Sequence, residues 1–146
     1  MIIKVKKLDE RATLPTYGSQ ESAGADLYAL LEAESLTIQA GETALIGTGL
    51  SLEIPKGYVG LVYARSGLAT KKGLAPANKV GVIDSDYRGE LKVALFNQSG
   101  KAQTVLAGER IAQLVIAPYL TACFEEADEL SDSARGTGGF GSTGNK

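Results

Sequence analysis

The sequence predicts an all-β domain, of the sandwich, jelly-roll or barrel kind, and two patterns predict it. Turn signals recur at short intervals, at Gly41, Pro55 to Gly57, Gly73, Gly89, Gly100 and Gly108. Between them lie short runs rich in branched and aromatic residues, a combination that marks many short strands rather than helices. A length of 146 residues, 44% hydrophobic and 22% charged, suits one domain with a real core and leaves little room for a second.

Taken in order, the predicted strands are Leu36 to Ile38, Ala44 to Ile54, Tyr58 to Tyr63, Lys79 to Ile83, Leu91 to Phe96 and Ile111 to Pro118. Within the second, Ser51-Leu52-Glu53-Ile54 alternates polar and apolar residues, as a half-buried strand does. Val62, Val80, Val82, Val93, Val105 and Val115 favour extended backbone through their branched side chains. Only Ser66 to Lys72 looks helix-capable, with Ser66 as the expected cap and Gly73 as the stop. Cys123 reads as a small buried hydrophobe. From Arg135 the character changes: the last stretch holds five of the 18 glycines and a single large apolar residue, Phe140. Such a segment buries too little surface to offset its ordering entropy. The expectation is a β domain over 1–134 and a mobile arm over 135–146.

Composition prunes the chemistry. There is no histidine, which removes the commonest general base, the Ser-His pair and imidazole metal ligands. One cysteine allows neither an internal disulfide nor a cysteine-rich zinc site. A catalytic base is therefore expected to be a carboxylate, and any metal a hard ion on oxygen ligands, Mg²⁺ first. A net charge of −2 does not suggest nucleic-acid binding through the overall field. No apolar run approaches the roughly 20 residues of a membrane span. The lysine-broken start, Met1 to Lys7, lacks the pattern of a signal peptide, and a soluble, cytoplasmic protein is expected.

Five segments could carry chemistry. In Gly81-Val82-Ile83-Asp84-Ser85-Asp86-Tyr87-Arg88-Gly89-Glu90, extended geometry would put Asp84 and Asp86 on one face, one as base and the other paired with Arg88 or capping the turn. Alone, the segment reads first as an acidic turn beside a salt bridge. Ala64-Arg65-Ser66-Gly67-Leu68-Ala69 offers first-turn N–H groups and a guanidinium to phosphate, or simply a helix cap. Ala23-Gly24-Ala25-Asp26-Leu27 carries one acid after a turn, by default an exposed one. Gly108-Glu109-Arg110-Ile111-Ala112-Gln113-Leu114 reads as a turn entering a strand, where a buried Gln113 would need hydrogen-bond partners. In the tail, Gly136-x-Gly138-x-x-Gly141 and Gly139-x-Gly141-x-x-Gly144 imitate a dinucleotide fingerprint. That fingerprint needs a strand before it and a helix after it, and neither is expected here. What remains is a strip of backbone N–H groups with Arg135, Phe140, Ser142 and Thr143, able to wrap an anion and stack on a base.

The order and spacing of these segments, across Ala23 to Gly144, resemble the motifs of the trimeric dUTPase family; GVIDSDYRGE and RGTGGFGSTG are the most specific. The resemblance implies a jelly-roll-like distorted barrel of the β-clip type, assembled as a homotrimer with active sites between subunits. It implies hydrolysis of dUTP to dUMP and pyrophosphate with Mg²⁺, limiting uracil in DNA and supplying dUMP for dTMP synthesis. Asp84 would be the catalytic acid that deprotonates the attacking water. Tyr87 would pack on the deoxyribose and exclude a 2′-hydroxyl. Asn78, Val80, Gly81, Val82 and Ile83 would read uracil, and Arg65, Ser66, Gly67 and Gln113 would bind phosphate. Asp26 would meet the Mg²⁺ hydration shell. Arg135, Gly138, Gly139, Phe140, Gly141, Ser142 and Thr143 would form the closing arm, Phe140 stacking on uracil and Arg135 meeting the terminal phosphate. No nucleic acid or membrane is implied as a partner. Ala25 and Ala64 depart from the family pattern, where a larger residue and a proline are common. A dCTP deaminase, its bifunctional form and a non-catalytic regulatory trimer are the alternatives on the same fold.

Overall fold

The computed structural model describes residues 1–140; the expected arm residues Gly141, Ser142 and Thr143 lie outside the described residues. The strands are β1 (Lys4–Lys7), β2 (Thr16–Tyr17), β3 (Ala25–Tyr28), β4 (Ser35–Ile38), β5 (Thr43–Gly47) and β6 (Leu50–Glu53). There follow β7 (Tyr58–Tyr63), helix α1 (Ser66–Lys72), β8 (Leu74–Pro76), β9 (Gly81–Ile83), β10 (Lys92–Asn97), β11 (Gln103–Leu106) and β12 (Arg110–Pro118). All pairings are antiparallel, and three of them nest: β3 with β12, β4 with β11, and β5 with β10. A chain that folds back on itself so that successive strands pair with successively earlier ones makes a jelly-roll-like wrap. The largest sheet runs β2-β3-β12-β7-β9, leaving β9 as an edge strand.

The inward faces meet in one core that includes Leu27, Ile38, Ile46, Leu91, Leu95, Val105 and Ile111, all but completely buried. Each such aliphatic side chain contributes about 1.5–3 kcal/mol by leaving water. Leu68 ties the short helix to this core. Buried Asn97 is fully bonded, its amide N–H groups on the Ile38 and Lys101 carbonyls and its carbonyl accepting from Ser99, so its polarity costs little. No helix is long and apolar enough to cross a membrane among the described residues.

Several expectations are corrected. The run Ala44 to Ile54 is two strands, because the chain changes sheets at Thr48-Gly49, where Gly49 takes φ +67° and Thr48 Oγ1 donates to the Leu91 carbonyl at 2.7 Å. Lys79 is not in a strand: it sits at φ +47° in a tight turn, and β9 begins at Gly81. Ser66 does not cap α1; Arg65 occupies that position without a side-chain cap bond, while Gly73 at φ 66° closes the other end as expected. Cys123 is exposed, on the strandless stretch after Pro118. β1, β2, β3, β8 and β11 lie outside the predicted runs.

Candidate active site

The first polar cluster grows from the five-stranded sheet. Cross-strand register sets Asp26, Gln113 and Tyr63 side by side on β3, β12 and β7. Side chains paired in this way share a face. Arg110 would fall on the opposite face from Gln113, three residues away, if the strand were regular. A bulge between Arg110 and Ala112 removes that alternation, so Ile111 and Ala112 are buried in succession and Arg110 turns to the Gln113 side. Asp26, expected to be exposed, is buried instead, and two cations hold it. Arg65 Nε donates to its Oδ1 at 2.6 Å and Arg110 NH1 to its Oδ2 at 3.1 Å. Gln113 Nε2 donates to the Ala64 carbonyl at 2.8 Å. Its side chain lies directly on Gly24, where a Cβ would stand 3.0 Å from the amide carbon. Gly24, Asp26, Arg65, Arg110 and Gln113, with Ser66 and Gly67, line a concavity of about 380 Å³. Gly67 is open to the solvent space around it.

The second cluster is built on the β7–β9 pair and the loop that follows. Gly81, Val82 and Ile83 pair with Val62, Leu61 and Gly60, and the outer backbone edge of β9 carries no further strand among the described residues. Asn78 opens the turn into it, its carbonyl accepting from Val80 N at 2.5 Å around the left-handed Lys79. After Ile83 the chain turns: Tyr87 N donates to the Asp84 carbonyl at 3.2 Å. The expected Asp86–Arg88 pair does not form. Arg88 NH1 instead donates to the Ser85 and Tyr87 carbonyls at 2.7 and 2.9 Å, and buried Ser51 donates to the Arg88 carbonyl at 2.7 Å. The turn is therefore bolted from inside, and it presents Asp84, exposed, at the mouth of two clefts. One contains Asp86; the other contains Val82, Ile83 and Tyr87.

The two clusters do not meet within one chain. Extending the β7–β9 register sets Asp84 beside Val59, four residues and three strands from the Asp26 row. At about 3.3 Å per residue and about 4.8 Å per strand, that is a diagonal of roughly 20 Å. Of the expected arm residues, Arg135 Nε donates to the Gly138 carbonyl at 2.7 Å, Gly139 is half-buried and Phe140 is fully exposed.

As for metal, no group of three or more His, Cys, Asp or Glu side chains that could cage an ion occurs among the described residues. A lone carboxylate with arginine on each oxygen fits an ion that arrives on its ligand's phosphates and keeps its waters, which is how Mg²⁺ ordinarily binds. It does not fit a resident all-protein site. Arg110 is the member of the Asp26 cluster that the sequence pattern hides. It stands within a motif segment, but only the bulge, which no periodicity reveals, aims it at the cluster.

An all-β wrap with two arginines around a carboxylate on one sheet and an acid–tyrosine turn on its edge has donors for a phosphorylated ligand and an exposed carboxylate to act as base. Comparison with known proteins makes this specific. The dUTPase family profile matches residues 10–144. The chain is 51% identical over 144 residues to the deoxyuridine 5'-triphosphate nucleotidohydrolase of Nautilia profundicola, covering 99% of each. It superposes on the Staphylococcus bacteriophage 80alpha dUTPase with dUPNHPP at a TM-score of 0.88, with 32% identity over 98% of each chain. It also superposes on a mutant dUTPase from phage phi11 of S. aureus, in which coordination of a structural Mg(II) ion is described (TM-score 0.78, 28% identity, 88% of this chain and 98% of that one). The chain belongs to the dUTPase family.

Proposed function

We propose that the chain hydrolyses dUTP to dUMP and pyrophosphate, with Asp84 as general base. The observation that carries this reading is the bolted turn that fixes Asp84 and Tyr87 as one unit in a chain of this family. Asp84 takes a proton from water while the water oxygen bonds to the α-phosphorus. The bond from that phosphorus to the oxygen bridging to the β-phosphate breaks, and its electron pair leaves with pyrophosphate. Phosphoryl chemistry of this kind needs positioning and charge neutralisation more than covalent help. Arg65, Ser66, Gly67 and Gln113 supply donors to the phosphates. Mg²⁺ would neutralise phosphate oxygens, with Asp26 facing its hydration shell.

The open edge of β9 suits the base. An edge strand offers unpaired N–H and C=O groups, the same alphabet that a base edge presents. Asn78 with Val80, Gly81, Val82 and Ile83 reads uracil there, and close backbone leaves no space for a thymine methyl. Tyr87 packs on the deoxyribose and excludes a 2′-hydroxyl. Because the cradle and the turn lie far apart in one chain, the site forms between copies of a homotrimer. Residues 135–146 close over it as an arm, with Arg135 on the terminal phosphate, Phe140 on uracil, and Gly138 to Thr143 around the phosphates. The reaction is cytoplasmic and involves neither nucleic acid nor membrane.

Incubation with dUTP, dCTP, dTTP and UTP plus Mg²⁺, following pyrophosphate and base identity, tests this. Pyrophosphate is expected from dUTP alone. A uracil product from dCTP would replace the reading with a deaminase, and no pyrophosphate from dUTP would leave a nucleotide-binding trimer without catalysis.

A further inference from the structure

We infer that Gly89 is a positioning residue that sets sugar specificity by seating the Tyr87 ring, an inference resting on the dUTP-hydrolysing reading above. The Tyr87 phenol lies directly across Gly89. A Cβ at Gly89 would overlap the hydroxyl end of the ring, nearest to Oη and 2.5 Å from Cζ and 2.9 Å from Cε2. Carbon atoms in contact prefer about 3.5–4.0 Å, so a single methyl there must lift the ring by about 1 Å or rotate it away.

The seat is fixed from below. Tyr87 Oη donates to the Glu90 carbonyl at 3.1 Å. Glu90 is itself pinned: its Oε1 accepts from Gly49 N at 3.0 Å and its Oε2 stands 3.3 Å from Lys92 Nζ. The outer side of the ring remains about half exposed, beside a cleft of about 310 Å³ shared with Leu45, Val82, Ile83 and Asp84. A wall that distinguishes a hydrogen from a hydroxyl works by contact at the scale of an ångström. Its floor therefore matters as much as the ring itself. Gly89 does not adopt a left-handed φ, so the backbone would accept any L-residue, and the ring is the obstacle.

The test is the ratio of kcat/KM for dUTP to kcat/KM for UTP in Gly89→Ala, Tyr87→Ala and the double variant, with dTTP as a control for base reading. In Gly89→Ala the ratio is expected to fall ~10-fold or more, within the range that lost pocket complementarity produces, while dTTP stays rejected. In the Tyr87→Ala background the same substitution is expected to change the ratio by less than about 2-fold, because its target is gone; coupling of this kind is what a double-mutant cycle isolates. Folding of each variant is followed by circular dichroism: a Gly89→Ala chain that unfolds alone but folds with Tyr87→Ala shows the same clash with the ring, and one that unfolds in both backgrounds overturns the assignment. An unchanged ratio in Gly89→Ala, or an equal fall with and without Tyr87, overturns the assignment while wild-type preference for dUTP over UTP keeps the parent reading intact. A wild-type protein that hydrolyses both equally overturns the two together.

Discussion

Asp26→Asn probes the centre of the Arg65–Asp26–Arg110 cluster. The wild-type carboxylate is 11% exposed and accepts from Arg65 at 2.6 Å and from Arg110 at 3.1 Å. Asparagine keeps the shape and one acceptor, but it turns an NH₂ donor toward one of two guanidiniums and removes the charge between them. Breaking a well-buried pair costs about 3–5 kcal/mol. Here the side chain of Arg65 is 27% and that of Arg110 50% exposed, so both keep part of their hydration. Arg110 falls near the exposed limit of about 0–1 kcal/mol, and Arg65 supplies most of the loss. The expected cost is about 2–3 kcal/mol. With a urea m-value of about 1–3 kcal/mol/M, the midpoint should drop by about 1 M. Wild type and variant must be compared at one protein concentration, since assembly contributes to apparent stability. A loss below about 0.5 kcal/mol would refute the claim that this carboxylate holds the two arginines together. The same variant should need more Mg²⁺ for half-maximal turnover, which a purely structural acid would not produce.

Asp84→Asn should bind dUTP in calorimetry yet turn over at least ~10²-fold more slowly, the lower range for losing a general base; near-normal turnover would show that the wrong acid was chosen. Removal of residues 135–146 should abolish turnover while leaving the assembly mass in light scattering equal to that of the truncated trimer, and an active truncation would contradict closure by the arm. Leu95→Ala, at a fully buried position on β10, should cost about 2–5 kcal/mol in urea unfolding without altering which nucleotide is accepted. The Arg11 guanidinium beside Asp9 holds that carboxyl at about 2, below its ordinary 3.8. Its ion pair is therefore complete above about pH 4 and lost as pH falls toward 2, which an NMR titration of the Asp9 carboxyl would follow.

Part of this is legible in the sequence, for physical reasons that can be traced. Tyr58 to Tyr63 shows its observed bounds because a run with branched Val59 and Val62 lies between the Pro55 to Gly57 turn and the helix start at Ser66. Gly73 reads as a helix stop because few residues other than glycine take φ 66° easily. The failures share a cause: each is decided by partners distant in sequence. The run 44–54 looks continuous until one sees that β5 joins β10 while β6 joins β1, which forces a break at Gly49. Asp26 looks like a surface acid because its two cations come from positions 65 and 110. Arg88 looks like the partner of Asp86, yet the backbone carbonyls of its own turn capture it first.

Distance also governs how the enzyme is put together. The open edge of β9, the Asp84 turn and the Asp26 cluster each have their supporting hydrogen bonds made within one chain. On the reading proposed above, folding a monomer prepares these parts without joining them, since roughly 20 Å separates Asp84 from the Asp26 cluster. Joining them by bending the sheet would break the β7–β9 and β7–β12 ladders that hold the core together. Joining them by placing the cradle of one copy against the turn of another breaks nothing. Catalysis is then tied to assembly: dilution below the dissociation constant of the assembly should remove activity while the far-ultraviolet circular dichroism of each chain persists. Mixing an Asp84→Asn chain with an Arg65→Ala chain supplies the sharper test. Copies that share sites regain activity on mixing, because some interfaces unite an intact turn with an intact cradle. Copies that each carry a whole site cannot, and a mixture as inactive as its components would refute the shared arrangement.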